Sequence, residues 1–448
     1  MSWYEQMKIW LDVSLLNQSL STPHGIARVE SNLSYHFQAE MDQVGFFWID
    51  SNKKIHFSDE PPKETLINNV YLNVLRTEAK GERIKLISQA FISLLPPRAG
   101  DLGWKFGKRI YDRLVKSYKM QSVFDKSHRP YLNYSQNIKK RNSLVNKTVN
   151  PNDIFFIASN DWDRRIFEVL EKEFDFNPRL AFVIYDLIPY THPNFAVDLE
   201  TASRFTYWIA EVAQKAEFLF HISHYTKNTF DSMLKVRGIS SFAKSLVVSL
   251  PPGLTRNGKA EEPIFSGLLN KKFVLVVCTL EVRKNHKVLV GALKQALLMS
   301  EDFPQLVFVG SRGWGYDEIR RDLELNEEFE NRLLHFSGVP DAQLRWLYAH
   351  ATAFAYPSFV EGLGLPILEA REFNLPILCS TAEVFREVID ESAIVLSPHD
   401  PVSWKNEIQK IVRSDWKPNY DPIYPELTWK SVVLKIKETL DQEKFVTE

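Results

Sequence analysis

The chain has 448 residues, too many for one ordinary core at about 150 residues per domain, so two sizeable domains are the economical reading. With 55 basic and 56 acidic side chains the formal charge is −1, which excludes a global field for nucleic acid or an anionic membrane and leaves only local anion sites. A composition of 44% hydrophobic and 25% charged residues excludes a disordered or fibrous chain.

The amino terminus, where Lys8-Ile9-Trp10-Leu11 runs straight into Asp12, lacks a secretory pattern and reads as a first strand. Strands are expected at 8–13, 44–49, 154–158, 179–188, 217–223 and 246–250, with helices at 26–41, 162–174, 201–216 and 225–235. That alternation is Rossmann-like. Residues 51–150 exceed what a crossover needs and form an insertion. Within it, 98–119 carries Trp104-Lys105-Phe106-Gly107-Lys108-Arg109, and reads either as a membrane-interface segment beside a lipid-linked acceptor or as an insertion helix with a solvated basic face. Residues 256–271, rich in Gly, Asn, Lys and Glu, suit a solvated linker.

A second Rossmann-like pattern follows, with strands at 273–280, 306–310, 333–338, 353–358, 376–380 and 393–397, and helices starting near Asn285, Tyr316, Asp341, Leu365, Val384 and Pro401. Residues 427–440 read as an amphipathic helix. The expected organisation is therefore a first domain over 1–255, a linker over 256–271, a second domain over 272–424, and a carboxy-terminal helix within 425–448 that packs back on the first domain. Cys278 and Cys379, each in or beside an apolar run, read as reduced, buried thiols of a cytosolic protein. No run of about twenty apolar residues occurs, so no spanning helix is expected.

Ligands of open parallel sheets bind beyond the carboxyl ends of the strands. After strand 353–358 comes Phe359-Val360-Glu361-Gly362-Leu363-Gly364-Leu365-Pro366-Ile367-Leu368-Glu369-Ala370, with two glycines and an early-helix proline between two carboxylates. Glycines let backbone N–H groups approach an anion, and a helix beginning near Leu365 points its positive end toward it. Glu369, one turn into that helix, is placed to accept from a diol such as a ribose. Glu361, before the helix, faces the group attached to the phosphate.

This segment, with Glu361 and Glu369 in Glu-x7-Glu spacing, resembles the retaining glycosyltransferases of the GT4 family. The resemblance implies an α/β chain of the GT-B fold, two Rossmann-like domains facing each other across a cleft, and a nucleotide-sugar donor with no metal or other cofactor. It implies that Glu361 contacts the transferred sugar, that Glu369 binds the nucleotide ribose, and that the backbone of Gly362, Leu363, Gly364 and Leu365 binds the diphosphate. Arg283 and Lys284, after the first strand of the second domain, match the family's diphosphate-binding pair, and fixed cations at a helix start suit a doubly charged leaving group. Phe336, in His335-Phe336-Ser337-Gly338, matches the segment contacting the base. Trp346 and Tyr348, at helical spacing, read as core. The string containing Glu387 also resembles the family.

In the first domain, Thr22-Pro23-His24-Gly25-Ile26-Ala27-Arg28 resembles the loop that the family brings against the donor, with Gly25 and Arg28 lining the cleft. Ile184-Tyr185-Asp186-Leu187-Ile188-Pro189 resembles a segment that commonly reads His-Asp-Leu-Ile-Pro. Asp186 is carried over to the catalytic set, and Tyr185 stands where the histidine would be, with His192 and His24 as substitutes. Ser223, heading the segment to Lys227, reads as a helix cap. The resemblance further implies a hexosyltransferase, with GDP-mannose as first donor, acting on a glycan or lipid-linked oligosaccharide at the inner face of the cytoplasmic membrane, within a bacterial surface polysaccharide assembly system. Rival readings are a metal-dependent enzyme using Asp161-Trp162-Asp163, a sugar-nucleotide epimerase, and a non-catalytic sugar-nucleotide-binding subunit.

Overall fold

The computed structural model describes residues 7–15, 25–50, 53–59, 149–159, 166–262, 267–329, 331–414, 418, 420 and 426–441. His24, the Asp161-Trp162-Asp163 motif and the basic segment 98–119 lie outside the described residues. In chain order the first domain contains β1 (Ile9–Asp12), α1 (Ile26–Glu40), β2 (Val44–Ile49), β3 (Ile55–Ser58), β4 (Ile154–Ile157), α2 (Ile166–Glu173), β5 (Arg179–Ile184), α3 (Ile188–Thr191), α4 (Leu199–Lys215), β6 (Phe218–His221), α5 (His224–Arg237) and β7 (Lys244–Val247). The second contains β8 (Phe273–Val277), α6 (His286–Leu298), β9 (Gln305–Val309), α7 (Asp317–Glu324), β10 (Leu333–Phe336), α8 (Asp341–His350), β11 (Ala353–Tyr356), α9 (Leu365–Glu372), β12 (Ile377–Ser380), β13 (Ile394–Leu396) and α10 (Pro401–Ser414), after which comes α11 (Trp429–Asp441).

Central strands are short, largely apolar runs such as Ile154-Phe155-Phe156-Ile157 and Phe273-Val274-Leu275-Val276-Val277, as expected where helices cover both faces of a parallel sheet. They form a seven-stranded sheet in the order β3-β2-β1-β4-β5-β6-β7 and a six-stranded sheet in the order β10-β9-β8-β11-β12-β13. All pairs are parallel except β2 with β3, which pair antiparallel through Phe47 and Phe57. The second sheet has the doubly wound Rossmann order, which reverses direction between β8 and β11. Helix termini follow local chemistry. Asp198 caps α4 by accepting from Thr201 N, and α5 ends at Gly238 in the left-handed conformation with φ 64°.

Each sheet is buried on both faces. One apolar cluster fills the outer face of the first sheet around Trp10, Phe155 and Ile209, and another fills the outer face of the second around Val276, Leu293 and Trp404. A third is continuous between the domains, running from Phe37 and Phe156 through Leu254 and Leu268 to Tyr348 and Ile367. Helix α11 packs on α1: Lys430 Nζ is 2.9 Å from Glu40 Oε1 and Lys437 Nζ donates to Glu40 O at 3.1 Å. Lys435 Nζ reaches Val247 O at 3.0 Å.

Three local differences from the sequence reading have physical causes. Strand β5 stops at Ile184 because Asp186 Oδ1 accepts from Ile188 N at 2.9 Å and Pro189 follows, so the backbone turns into α3. The helix expected from Val384 is a short 3-10 turn over Glu383–Glu387. Strand β3 lies where the sequence reading begins the insertion.

Candidate active site

The site lies where β8 and β11 diverge, the switch point of the second sheet, under the amino end of α1 from the first domain. A cavity of about 520 Å³ opens there, lined from the first domain by Gly25, Arg28 and Asp186 and from the second by Arg283, Lys284, Glu361, the Gly362 to Pro366 loop and Glu369. Eleven of the twelve sequence-expected residues thus meet in one space. Phe336 is the exception: it packs against the apolar cluster between the domains, and its carbonyl accepts from Gly310 N at 2.9 Å. The cavity reaches that strand end through Gly310, Ser311, Gly338 and Val339 instead.

Glu361 is the electrostatic centre. Its side chain is buried, with Oε1 2.5 Å from Lys284 Nζ and Oε2 2.8 Å from Arg283 Nη1. Burial alone would raise its pKa, but Lys284 and then Arg283 outweigh it and hold the carboxyl at about 2. Arg283 also pairs with Glu281 at 2.8 Å, and Lys284 Nζ lies 3.1 Å from Tyr356 Oη. The two cations expected to face a diphosphate are therefore both engaged with Glu361. Their loop is pinned by Asn285, which adopts φ 54° and donates to Pro357 O and Pro398 O at 3.2 and 2.8 Å.

Glu369 is the second centre. Tyr348 Oη donates to its Oε2 at 2.8 Å, and Arg28 Nη1 lies 3.3 Å from its Oε1 while Nη2 reaches Asp341 at 2.6 Å. Here burial outweighs Arg28 and the tyrosine hydrogen bond, and the carboxyl pKa is raised. Helix α9 starts after Gly364, whose φ of 104° suits glycine alone, and no side chain caps it. Gly362 has a different reason to be small: a Cβ there would stand 2.1 Å from Tyr185 O, across the domain boundary.

That boundary is closely bonded. Ser223 Oγ caps α5 by accepting from Thr226 N at 3.0 Å and also lies 2.7 Å from Gly362 O. Glu387 accepts from His224 N and Tyr225 N at 2.8 and 2.7 Å, so a carboxylate of the second domain serves the amino end of a first-domain helix. Tyr185 is turned inward, its hydroxyl donating to Ala158 O at 2.7 Å, and burial pushes its pKa well up. It offers no substitute for an imidazole. Burial likewise raises the pKa of Asp186, against the pull of Arg283. His192, the described substitute, stands at the end of α3 beside Phe195.

Sequence reasoning missed Tyr348 as a partner of Glu369, Gly253 beneath Arg28, and Trp429 of α11 in the cavity wall. Period marks Tyr348 as core, which it is; the aim of its hydroxyl is not periodic. Cys278 and Cys379 are free thiols whose pKa values burial pushes up to about 12. Among the described residues no helix is long and apolar enough to cross a membrane.

Residues 259–421 match the family model described as glycosyl transferases group 1. That match takes in most of the second domain and about a third of the chain. Curated proteins similar to this chain include O-antigen chain mannosyltransferase B of Escherichia coli, 34% identical over 146 residues, covering 32% of this chain and 38% of that protein. The serotype-specific mannosyltransferase WbdA of Escherichia coli is 25% identical over 270 residues, covering 56% of this chain and 32% of WbdA. The chain thus spans about a third of the length of the curated relatives it matches. Anabaena Alr3699/HepE, solved in complex with UDP and glucose, superposes with a TM-score of 0.58 at 14% identity over 97% of this chain and 99% of that one. The chain has the GT-B fold.

Proposed function

We propose that this chain is a retaining, metal-independent glycosyltransferase that moves a hexose from a nucleotide sugar, GDP-mannose being the first candidate, onto a glycan or lipid-linked oligosaccharide in bacterial surface polysaccharide synthesis. The observation that carries the reading is the Glu361, Arg283 and Lys284 cluster at the switch point, facing Glu369 across the uncapped start of α9 inside a cavity between the domains. The similarity to proteins named as O-antigen chain mannosyltransferases supports mannose as the sugar and surface polysaccharide as the setting.

In this reading the diphosphate lies at the start of α9, where backbone N–H groups and the helix dipole favour an anion. Arg283 and Lys284 then share their charge between Glu361 and the departing diphosphate, a preorganised response to the charge that develops on the leaving group. Attack comes from the face of the departing phosphate, which accepts the proton of the acceptor hydroxyl. Glu361, held ionised, orients the sugar and offsets positive charge growing at its anomeric carbon. Glu369 accepts from the ribose diol once Arg28 yields that oxygen.

A thermal-shift screen of nucleotide sugars on the full chain tests this, followed by anomeric analysis of the product with and without a chelator. Lys284→Ala should mainly weaken donor use and Glu361→Ala should mainly slow transfer. Equal activity of both variants and the parent chain, an inverted product, or loss of activity on chelation would each overturn the part it addresses.

A further inference from the structure

Both carboxylate oxygens of Glu369 are already engaged by the protein. Tyr348 Oη donates to Oε2 at 2.8 Å, and Arg28 Nη1 stands 3.3 Å from Oε1. The arginine reaches that oxygen from the other domain past Gly253, where a Cβ would stand 2.7 Å from Arg28 Cδ and 3.1 Å from Glu369 Oε1. Its other terminal nitrogen, Nη2, lies 2.6 Å from Oδ1 of Asp341, the first residue of α8. Arg28 and Glu369 line the cavity, whereas Asp341 stands outside it. A ribose seated on Glu369 and the guanidinium of Arg28 thus claim the same oxygen.

We infer that Arg28 is a built-in competitor for the ribose site, one that yields to a nucleotide carrying a diphosphate and resists the bare nucleoside. The inference rests on the reading of Glu369 as the ribose acceptor and adds to it a source of selectivity. The reason is electrostatic. A nucleoside takes Oε1 from Arg28 and brings no charge in return, so a largely buried guanidinium is left with Asp341 alone. It also strips the cation from a carboxyl whose pKa burial already raises, and an uncharged carboxyl is the poorer acceptor. A diphosphate changes this balance. Four residues separate Leu365, at the start of α9, from Glu369, a rise of about 6 Å, which is comparable to the length of an extended arginine. A phosphate at that helix start, in the same cavity as Arg28, is within a side chain's swing of the released guanidinium. Arg28 then exchanges a carboxylate for a phosphate through charge-assisted hydrogen bonds, and the ribose hydroxyls replace it on Glu369. The signature of a competitor is distinct. Loss of a plain phosphate ligand would leave nucleoside binding unchanged, and loss of a structural tie would weaken every ligand; loss of a competitor strengthens the nucleoside.

The test is calorimetric titration of the full chain with guanosine, uridine and thymidine and with their 5′-diphosphates. For the base whose diphosphate the parent binds, Arg28→Gln should bind the nucleoside at least about fivefold more tightly and the diphosphate at least about fivefold more weakly, so that the two affinities converge. Asp341→Asn should move the nucleoside the other way, weakening it at least about threefold with the diphosphate changed less, because Arg28 then keeps Glu369 as its one carboxylate partner among the described residues. This second variant carries the test if Arg28→Gln fails to fold. Nucleoside affinity that is unchanged or weaker in Arg28→Gln, or unchanged or stronger in Asp341→Asn, overturns the inference and leaves the donor reading standing. A parent chain that binds none of the diphosphates overturns the donor reading and this inference with it.

Discussion

Arg28 Nη1 lies 3.3 Å from Glu369 Oε1, an ion pair between residues 341 positions apart that ties the first turn of α1 to the carboxylate on α9. Both side chains are largely buried, so neither charge is well served by water in its place.

Arg28→Met should therefore leave Glu369 and Asp341 without their shared cation and cost about 3 kcal/mol of stability at neutral pH. The cost should shrink on acidification, because Glu369 already has a raised pKa and takes up a proton more readily once Arg28 is gone. Unfolding temperatures of the variant and parent across acid pH check this; a constant gap would sink the assignment.

Tyr348→Phe keeps the ring and removes only the hydroxyl that donates to Glu369. If Glu369 binds the ribose, nucleotide affinity should fall about tenfold, in line with roughly 1.5 kcal/mol for a hydrogen bond to a charged group. The rate at saturating donor should change less than about twofold. Calorimetric titration with nucleotide and a separate measurement of kcat and KM distinguish this from a general loss of packing.

Gly362→Ala should act on the domain boundary rather than on the phosphate loop. The new methyl would meet the Tyr185 carbonyl oxygen at 2.1 Å, and neither a Cβ nor a backbone carbonyl has a rotamer to relieve it. Transfer should drop more than about tenfold with secondary structure unchanged, and the radius of gyration from solution scattering should rise. A variant of unchanged dimensions with normal activity would contradict the contact.

Glu361 provides a pH signature. Its folded pKa of about 2 lies below the ordinary value of 4.5, so its contribution is present above about pH 4.5 and is lost as pH falls toward 2. The full linkage amounts to roughly 3 kcal/mol. The unfolding temperature of the parent should fall more steeply through that window than that of Glu361→Gln, and parallel curves would show that the carboxylate is not clasped in solution.

The sequence made the local parts of this site legible and the relational parts much less so. Glu361, Gly364 and Glu369 sit within nine residues on one strand-loop-helix unit, so their spacing carries their geometry. Arg283 and Lys284 were found through register with that unit. By contrast, the pairing of Arg28 with Glu369 and Asp341 depends on how two domains close, and no periodicity encodes it. Gly362 was read as a phosphate-loop glycine, yet its contact with Tyr185 is visible only when both domains are in place. Strand β3 was hidden because Ile55-His56-Phe57 follows a turn inside a segment set aside as an insertion, and it pairs antiparallel at the sheet edge.

Helix α11 follows the second domain in sequence and lies against α1, so the chain runs between the two bodies twice, once between β7 and β8 and again between α10 and α11. A part held at one point can wander; a part held at two is left mainly with a swing about the line that joins them. The Arg28 contact with Glu369 and the Glu387 contact with the start of α5 both bridge these two bodies, so such a swing would act on both together. An ion pair and a helix cap, far apart in sequence, would answer to a single angle.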